Sequence, residues 1–361
     1  MRAVALIDGE HYPSVVRDAL AALPYHWVGA ILVGGTEKLR DDPEYGIPLV
    51  TDFGDAEIVV DLSDEPVLGP IARFEWASRA LAAGLPYAGA DFRFDPPELA
   101  PFELPSIAVI GTGKRVGKTA VTTELARLLA RDRSVVVVAM GRGGPSEPEL
   151  VESAPTIDEL VERSRAGRHA ASDHLEIAAL AGVPTIGCRR AGGGLAGAVS
   201  VSNVAEGARL AAELRPDIVV FDGSGAAIPP VAVDTRILVT SSAQRDPYLD
   251  TYRRLISDVV LEAPALRLEP AEPLLGRVAV FTAGGVDVDH LDAEVVHVSP
   301  NLANRDALRA DLVAADTYLV ELKAAAIDVV AEHALAHGIR VVLARNVPVG
   351  VDLTSVLPVQ I

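Results

Sequence analysis

The stretch Ser106–Ala130, SIAVIGTGKRVGKTAVTTELARLLA, decides the fold. An apolar run, 107–110, enters a glycine-rich turn, and apolar residues then recur at helical spacing as far as Leu129. This order predicts a strand, a phosphate-binding loop and a helix, with backbone N–H groups and the helix N-terminus around a phosphate. Lys118 is then expected on the β- and γ-phosphate oxygens, and the hydroxyl of Thr119 on Mg²⁺.

The loop departs from the usual G-x-x-x-x-G-K-[ST] string at one position, because Thr112 stands where that string has its first glycine. This variant resembles the loop of dethiobiotin synthetase and its relatives, a P-loop class that forms bonds with ATP. In that class Gly-Thr also opens the loop and Val-Gly-Lys-Thr closes it. The residues predicted to bind the nucleotide are Gly111, Thr112, Gly113, Val116, Gly117, Lys118, Thr119 and Ala120.

Lysine is rare in this chain and is concentrated in the loop. Of 32 basic residues only Lys38, Lys114, Lys118 and Lys323 are lysines, so two of the four lie within nine residues. A compositional preference for arginine explains the other 28 cations but not this pair. The two positions therefore favour a compact ammonium that meets phosphate as a point charge.

Composition limits the class of protein. The 361 residues suggest two or three domains, and half of them are apolar, which is enough for cores built largely of Ala, Val and Leu. A net charge of -18 argues against a nucleic-acid or anionic-membrane surface. Cys188 is the only cysteine, which excludes an internal disulfide and a cysteine-based zinc site. With no charged-then-apolar leader and no membrane-length apolar run, we expect a soluble, cytoplasmic protein.

The first hundred residues predict a small α/β unit with strands at 3–7, 28–33 and 57–62. Each strand is followed by glycines or acidic residues, and ligands bind at the carboxyl ends of strands in open α/β sheets. Asp8 and His11 are candidate substrate ligands on this ground. The alternative is that Asp8 and similar residues are helix caps and turn formers.

Four further strand ends carry candidate site residues. Arg142, between glycines in Met140–Pro145, and the adjacent Arg189 and Arg190, before a glycine-rich run, are candidate phosphate ligands, although plain surface turns would look similar. Asp222 ends a buried strand, the usual metal-binding or water-positioning element of P-loop enzymes, so it is a candidate ligand of Mg²⁺. The expected purine-binding residues at the next strand end are Ser241, Ser242 and Gln244.

The last ninety residues predict a smaller α/β unit, in which Lys323 begins a helix. Lys323 is either a ligand of a substrate phosphate or a surface charge paired with Asp328. The four histidines at 290, 297, 333 and 337 are not spaced with carboxylates as in a metal site.

These patterns predict an α/β protein in three parts. A P-loop NTPase domain with a mostly parallel, doubly wound sheet (105–270) is preceded by an N-terminal Rossmann-like α/β domain (1–94) and a proline-rich linker (95–104). A smaller C-terminal α/β unit (271–361) follows.

Seven segments resemble the cyclic 2,3-diphosphoglycerate synthetase family and run from end to end of the chain. They are ALIDGEHYP (Ala5–Pro13), VGGTEKL (Val33–Leu39), LSDEPV (Leu62–Val67), IGTGKRVGKTA (Ile110–Ala120), MGRGGP (Met140–Pro145), DGSGAAIPP (Asp222–Pro230) and ELKAAAIDV (Glu321–Val329). The resemblance implies ATP-dependent closure of 2,3-diphosphoglycerate into its cyclic form, with an intramolecular phosphoanhydride as product. The cations expected to offset the phosphate charges are Lys114, Arg115, Lys118, Arg142, Arg189, Arg190 and Lys323.

Two other functions are compatible with the phosphate-binding loop. One is a different ATP-dependent ligase or kinase of the dethiobiotin synthetase class, acting on another small acid. The other is a P-loop GTPase switch or metallochaperone, against which stands the lack of an Asn-Lys-x-Asp guanine motif. By analogy with the P-loop class we expect a homodimer.

Overall fold

The computed structural model describes residues 1–39, 44–168, 170, 172–241, 245–322 and 327–355. The chain divides into two compact units, which are described separately. Unit 1 comprises residues 1–98, the segment Gly194–Ala198 and a helix near residue 250, and unit 2 contains most of the rest. No helix among the described residues combines the length and the apolar character needed to cross a membrane.

Unit 1 is built on a mostly parallel sheet. Its elements from residues 1–98 are β1 (Arg2–Ile7), α1 (Pro13–Ala22), β2 (His26–Leu32), β3 (Ile58–Asp61), α2 (Pro70–Ala82), β4 (Tyr87–Ala88) and β5 (Arg93–Phe94). The strand order is β2-β1-β3-β4-β5, and only β5 is antiparallel to its neighbour. Both helices begin with a proline in their first turn, where the missing N–H is not needed.

Unit 2 begins with the strand–loop–helix predicted from the motif. The elements of this region are β6 (Ser106–Gly111), α3 (Lys118–Leu129), β7 (Val135–Gly141), β8 (Glu149–Val151), α4 (Ile157–Arg165), α5 (Asp173–Ala181), β9 (Thr185–Ala191), β10 (Val201–Ser202), α6 (Val204–Glu213), β11 (Ile218–Asp222), β12 (Thr235–Thr240), α7 (Pro247–Leu255) and β13 (Val259–Glu262). All but α7, which belongs to unit 1, are in unit 2.

The central sheet of unit 2 runs β10-β9-β7-β11-β6-β12-β13, with β8 also paired to β9. Its six central strands, from β9 to β13, are parallel. Strands β6 and β11 are buried along their whole length, which explains their nearly continuous apolar sequence. Because parallel strands end at the same edge, the loops after β6, β7, β9 and β11 lie close together.

A second sheet in unit 2 is formed by the end of the chain. Its elements are β14 (Ala265–Pro270), β15 (Arg277–Phe281), β16 (Glu294–Ser299), α8 (Arg305–Ala310), β17 (Thr317–Glu321), α9 (Ile327–His337) and β18 (Arg340–Val349). The order is β14-β18-β17-β15-β16, and β14 alone is antiparallel. Arg345 of β18 forms an ion pair with Glu124 of α3, which ties this sheet to the helix after the phosphate-binding loop.

The predicted α/β architecture, with a P-loop domain between an N-terminal and a C-terminal α/β part, is confirmed. The domain boundaries given above stay a prediction. Helix α6 was not predicted, because its buried face consists of small residues and one glycine. Gly207 packs directly on Cys188, where a Cβ would lie 2.3 Å from Sγ, so the helix approaches the sheet too closely for a larger residue.

Residues 194–198 pack with helix α7 in unit 1. The guanidinium of Arg253, on α7, is fully buried and donates from Nη1 to the carbonyl oxygens of Leu195, at 3.1 Å, and Leu249, at 2.8 Å. Helix α7 also packs against α2, where the rings of Phe74 and Tyr248 meet edge to face. The glycine-rich run after Arg190 therefore includes a buried turn, because Leu195 is covered in unit 1.

Candidate active site

The phosphate-binding loop folds tightly around the side chain of Lys118. Its Nζ donates a hydrogen bond to the carbonyl oxygen of Gly113, at 2.6 Å, and only 7% of the residue is exposed. A Cβ at Gly111 would lie 2.8 Å from the Lys118 side chain, so glycine at this position allows the lysine to cross the loop. Gly117 precedes α3 with φ of 98°, a left-handed conformation that favours glycine.

A cavity of about 610 Å³ opens beside this loop, at the carboxyl edge of the central sheet. Its lining includes Lys114, Arg115, Lys118, Thr119 and Arg142, so five residues predicted for the site lie together. The remaining wall includes the end of β7 and the turn after it, the turn after β11, and the start of α5. Four cations on one cavity, in a chain with a net charge of -18, make a local site for an anion.

Two guanidinium groups converge on the turn after β11. A Cβ at Gly225 would lie 2.6 Å from Nη2 of Arg142 and 3.3 Å from Nη2 of Arg190, so only glycine leaves room for both. Arg190 Nη2 donates to the carbonyl oxygen of Ser224 at 2.7 Å, while its buried Nε has no partner among the described residues. Burial and the nearby charge of Arg142 lower the pKa of Arg190. Two cations facing one space would be stabilised by an anion bound between them.

Asp222 lies behind the cavity, at the end of β11. It is 1% exposed, and its Oδ1 accepts a hydrogen bond from the Thr122 hydroxyl at 2.7 Å. Burial, followed by the charge of Asp173, raises the pKa of Asp222 to about 7, although the Thr122 hydrogen bond and Lys118 oppose this shift. Its Oδ2 is buried and has no hydrogen-bond partner among the described residues.

Whether these residues fit a magnesium ion can be judged from Oδ2 of Asp222, which has no hydrogen-bond partner among the described residues. Mg²⁺ is commonly bound through one or two carboxylates together with water and substrate phosphates, and Asp222 has an oxygen available for this purpose. Thr119 lies in the first turn of α3, next to Lys118, and lines the cavity. The described residues contain no cluster of three or more His, Cys, Asp or Glu side chains arranged for a metal ion.

Family models describe nearly the whole chain. A cyclic 2,3-diphosphoglycerate synthetase N-terminal domain matches residues 2–95, the P-loop domain of the same family matches 106–264, and its C-terminal domain matches 286–347. The chain belongs to the cyclic 2,3-diphosphoglycerate synthetase family.

Curated relatives agree with this placement. The cyclic 2,3-diphosphoglycerate synthetase of Rubrobacter xylanophilus is 46% identical, over 99% of this chain and 96% of the relative. The synthetase of Pyrococcus abyssi is 39% identical, over 97% of this chain and 95% of the relative. The synthetase of Methanothermus fervidus is 38% identical, over 97% of this chain and 93% of the relative. The Rubrobacter alignment spans 427 positions against 361 residues here, so that relative contains segments with no counterpart in this member of the family.

The start of α5 lines the cavity in this synthetase-family chain, although the sequence did not identify it as part of the site. Asp173 is not among the predicted site residues, yet it lines the cavity with Lys118 and Thr119, and its charge acts on Asp222. His174, the next residue, also lines the cavity and is 4% exposed. An acid and a histidine directly after a serine cap were the available signal, but nothing local in the sequence indicated that α5 starts at the carboxyl edge of β7.

The other predicted substrate residues are not all at this cavity. Neither Arg189 nor Arg190 is among its lining residues. Arg190 donates a hydrogen bond to the carbonyl oxygen of Ser224, which does line the cavity, whereas Arg189 is exposed. Lys323, together with Ser242 and Gln244 of the expected purine site, lies outside the described residues.

Asp8 and His11 lie in unit 1, where Asp8 organises the loop after β1. Its Oδ1 accepts the backbone N–H groups of Glu10 and His11, its Oδ2 accepts that of Asp64, and His11 Nδ1 is 2.8 Å from Oδ1. Burial opposes ionisation of Asp8, but these hydrogen bonds outweigh it and lower its pKa. This agrees with the turn-forming alternative for Asp8, whereas His11 lines a separate cavity of about 450 Å³ in unit 1.

Proposed function

We propose that this enzyme of the ligase type uses ATP to close 2,3-diphosphoglycerate into cyclic 2,3-diphosphoglycerate, releasing ADP and phosphate. The observation that carries the proposal is the cavity beside the phosphate-binding loop, where Lys114, Arg115, Lys118 and Arg142 collect positive charge. The relatives named as cyclic 2,3-diphosphoglycerate synthetases match this chain over nearly its full length.

The reaction proceeds in two balanced steps. In the first, one phosphate of the substrate attacks the γ-phosphorus of ATP, so that a pyrophosphate forms and ADP leaves. In the second, an oxygen of the other substrate phosphate attacks the inner phosphorus of this pyrophosphate, which is the one bonded to the glycerate oxygen. The P–O–P bond of the ring forms, the bond to the terminal phosphoryl group breaks, and inorganic phosphate leaves.

The side chains of this chain bring anions together and neutralise them. Such phosphoryl transfer depends mainly on positioning and electrostatic stabilisation, and it asks for little covalent chemistry from the protein. Lys118 and the loop N–H groups bind the nucleotide phosphates, while Arg142 and Arg190 bind a phosphate of the acid. Thr119 and Asp222 hold Mg²⁺, which supplies further charge neutralisation on the phosphate oxygens when it is bound.

The alternatives are less well supported. A different ligase of the dethiobiotin synthetase class would share the loop, but the N-terminal and C-terminal family domains also match here. A GTPase switch would not account for those two domain matches either. Dimerisation and a cytoplasmic location, both predicted above, remain part of the proposal.

The test is phosphate release from ATP with Mg²⁺, in the presence and absence of 2,3-diphosphoglycerate, with ³¹P NMR of the product. We expect release that depends on the acid and a new signal from a cyclic diphosphate. ATP hydrolysis that ignores the acid, or no hydrolysis at all, would mean that the substrate is a different one.

A second test of the proposal replaces Lys118 of the phosphate-binding loop. Lys118→Ala removes a cation from the phosphates, and losing one preorganised charge contact commonly lowers kcat by about a hundredfold or more. The control is Arg209→Ala, which removes an exposed cation of α6 that forms an ion pair with Glu206. Normal turnover in Lys118→Ala would exclude the loop as the catalytic phosphate site.

A further inference from the structure

Two histidines of helix α9 lie against each other in the C-terminal part of unit 2. His333 and His337 are four residues apart, so they share one face of the helix. Their rings are stacked, with the centroids 4.1 Å apart and an angle of 25° between the ring planes. Neither residue lines the cavity beside the phosphate-binding loop, and neither has a part in the reaction described above.

The hydrogen bonds of Tyr318 determine which nitrogen of His333 carries the proton. The Tyr318 hydroxyl donates its one hydrogen to the carbonyl oxygen of Val313, at 2.6 Å. The same hydroxyl oxygen is 3.0 Å from Nδ1 of His333, so it accepts there and Nδ1 is the donor. A neutral His333 ring is therefore protonated on Nδ1, which leaves a lone pair on Nε2.

A backbone carbonyl determines the proton position of His337 in the same way. Its Nδ1 is 2.8 Å from the carbonyl oxygen of His333, and a carbonyl oxygen can only accept. A neutral His337 ring is thus also protonated on Nδ1. Within the described part of the chain, Nε2 of neither ring has a hydrogen-bond partner. Histidine ligands of metals have this form, in which one nitrogen donates to a protein oxygen and the other is available to the ion.

We propose that His333 and His337 bind one divalent transition-metal ion through their Nε2 atoms. Two histidines four residues apart on a helix are a known pair of metal ligands. Imidazole suits Cu²⁺, Ni²⁺ and Zn²⁺, whereas Mg²⁺ prefers oxygen ligands, so this site differs in chemistry from the magnesium site at Asp222. The sequence showed no carboxylates spaced with these histidines, and the pair needs none. Because the described residues contain no cluster of three potential ligands, water fills the other coordination positions.

Metal binding requires the stacked rings to open. One ion can lie on both lone pairs only where the two ring planes meet, and stacked rings do not provide such a point. His337 is exposed at the end of α9, whereas His333 is half-buried, so His337 is the ring that turns. The χ2 torsion of histidine has a broad energy well, which allows this turn at low cost.

Calorimetric titration with Cu²⁺ tests the pair. Excess Mg²⁺ in the buffer competes for sites made of oxygen ligands. The variant is His337→Gln, which removes one nitrogen ligand from an exposed position and keeps a good helix former there. We expect it to weaken Cu²⁺ binding by about tenfold or more.

The matched control is His290→Gln, because Nε2 of His290 is already bonded to the carbonyl oxygen of Leu268, at 2.6 Å. This control should bind Cu²⁺ as the unaltered chain does. The proposal is overturned if His337→Gln binds Cu²⁺ as tightly as the unaltered chain, or if both variants weaken binding equally.

Electron paramagnetic resonance of the bound Cu²⁺ provides a second measurement. Nitrogen coupling should indicate two imidazole ligands in the unaltered chain and in His290→Gln, but fewer in His337→Gln. A spectrum with oxygen ligands alone in the unaltered chain would contradict the proposal. Neither measurement needs ATP or diphosphoglycerate, so their outcome is independent of the proposed reaction.

Discussion

Gly225 allows two cationic side chains to approach the same turn. Because it has no side chain, the guanidinium groups of Arg142 and Arg190 both approach the turn after β11. Sequence alone marked Arg142, Arg189 and Arg190 as candidates and did not distinguish Arg189 from Arg190. The choice between Arg189 and Arg190 depends on the alternation of side chains along β9, together with the position of the neighbouring strand.

The first residue-scale prediction compares these arginines. Arg142→Ala should raise KM for 2,3-diphosphoglycerate by about tenfold or more, since charged hydrogen bonds contribute about 1.5–3 kcal/mol, with little change in KM for ATP. Arg189→Ala is the matched control, because this neighbour of Arg190 is exposed and lies outside the cavity lining. Steady-state kinetics with each substrate varied in turn would measure both. Equal effects of the two variants would argue against a specific anion site at Gly225.

A second prediction concerns Asp222. Asp222→Asn removes the carboxylate whose Oδ2 has no partner among the described residues, and we expect the Mg²⁺ concentration for half-maximal rate to rise by about tenfold. Asp217→Asn is the control, because Asp217 precedes the amino end of the same strand and accepts hydrogen bonds from Ser134. An unchanged Mg²⁺ titration in Asp222→Asn would exclude this carboxylate from the metal site.

Helix α5 buries an ionisable side chain in its first turn. His174 packs on Gly187 of β9, where a Cβ would lie 2.6 Å from the ring. Its Nδ1 is 3.0 Å from the Ser172 hydroxyl, and its Nε2 is 3.6 Å from a carboxylate oxygen of Glu149, which also pairs with Arg163. Burial is the main reason that the pKa of His174 falls to about 4.

This burial predicts a pH-dependent stability. Between pH 6.5 and about 4 the unfolded chain holds a proton on His174 that the folded chain does not, so the free energy of unfolding falls as the pH is lowered. The full effect is about 3 kcal/mol. Urea unfolding of the protein and of His174→Gln across this interval should show the smaller pH slope in the variant. Parallel curves would mean that His174 does not titrate differently on folding.

Elements with strong local signals were predictable, and those that depend on close packing were not. The loop from β6 to α3 follows from its motif, and parallel strands such as β7 and β11 follow from continuous apolar runs. Helix α6 was missed although its buried residues recur at helical spacing, because most of them are Gly or Ala. Strand β14 was missed because its partner, β18, lies far along the chain.

At the scale of the whole molecule, the sequence predicted the class and the cation cluster, but not the contact between the helix after the phosphate-binding loop and the C-terminal sheet. This contact places α3 beside β18, as the ion pair between Glu124 and Arg345 shows, and no motif in the sequence indicates it.

The oligomeric state is a property of the whole molecule, and we predict a homodimer. We expect light scattering to give twice the chain mass of 37.8 kDa, on the analogy with other P-loop ligases. Measurement over a range of protein concentrations, with and without ADP, would check it. A single-chain mass throughout that range would contradict the expected homodimer.

The contact between Leu195 and Arg253 in unit 1 bears on when the packing of this unit can be completed during translation. Unit 1 holds the first 98 residues, but it also needs the turn at Gly194–Ala198 and helix α7, which end about one hundred and sixty residues later. The packing of the amino-terminal sheet can therefore be completed only after most of the phosphate-binding region has been translated. A gene cut after codon 98 should yield a fragment whose α2 surface has lost the cover of α7.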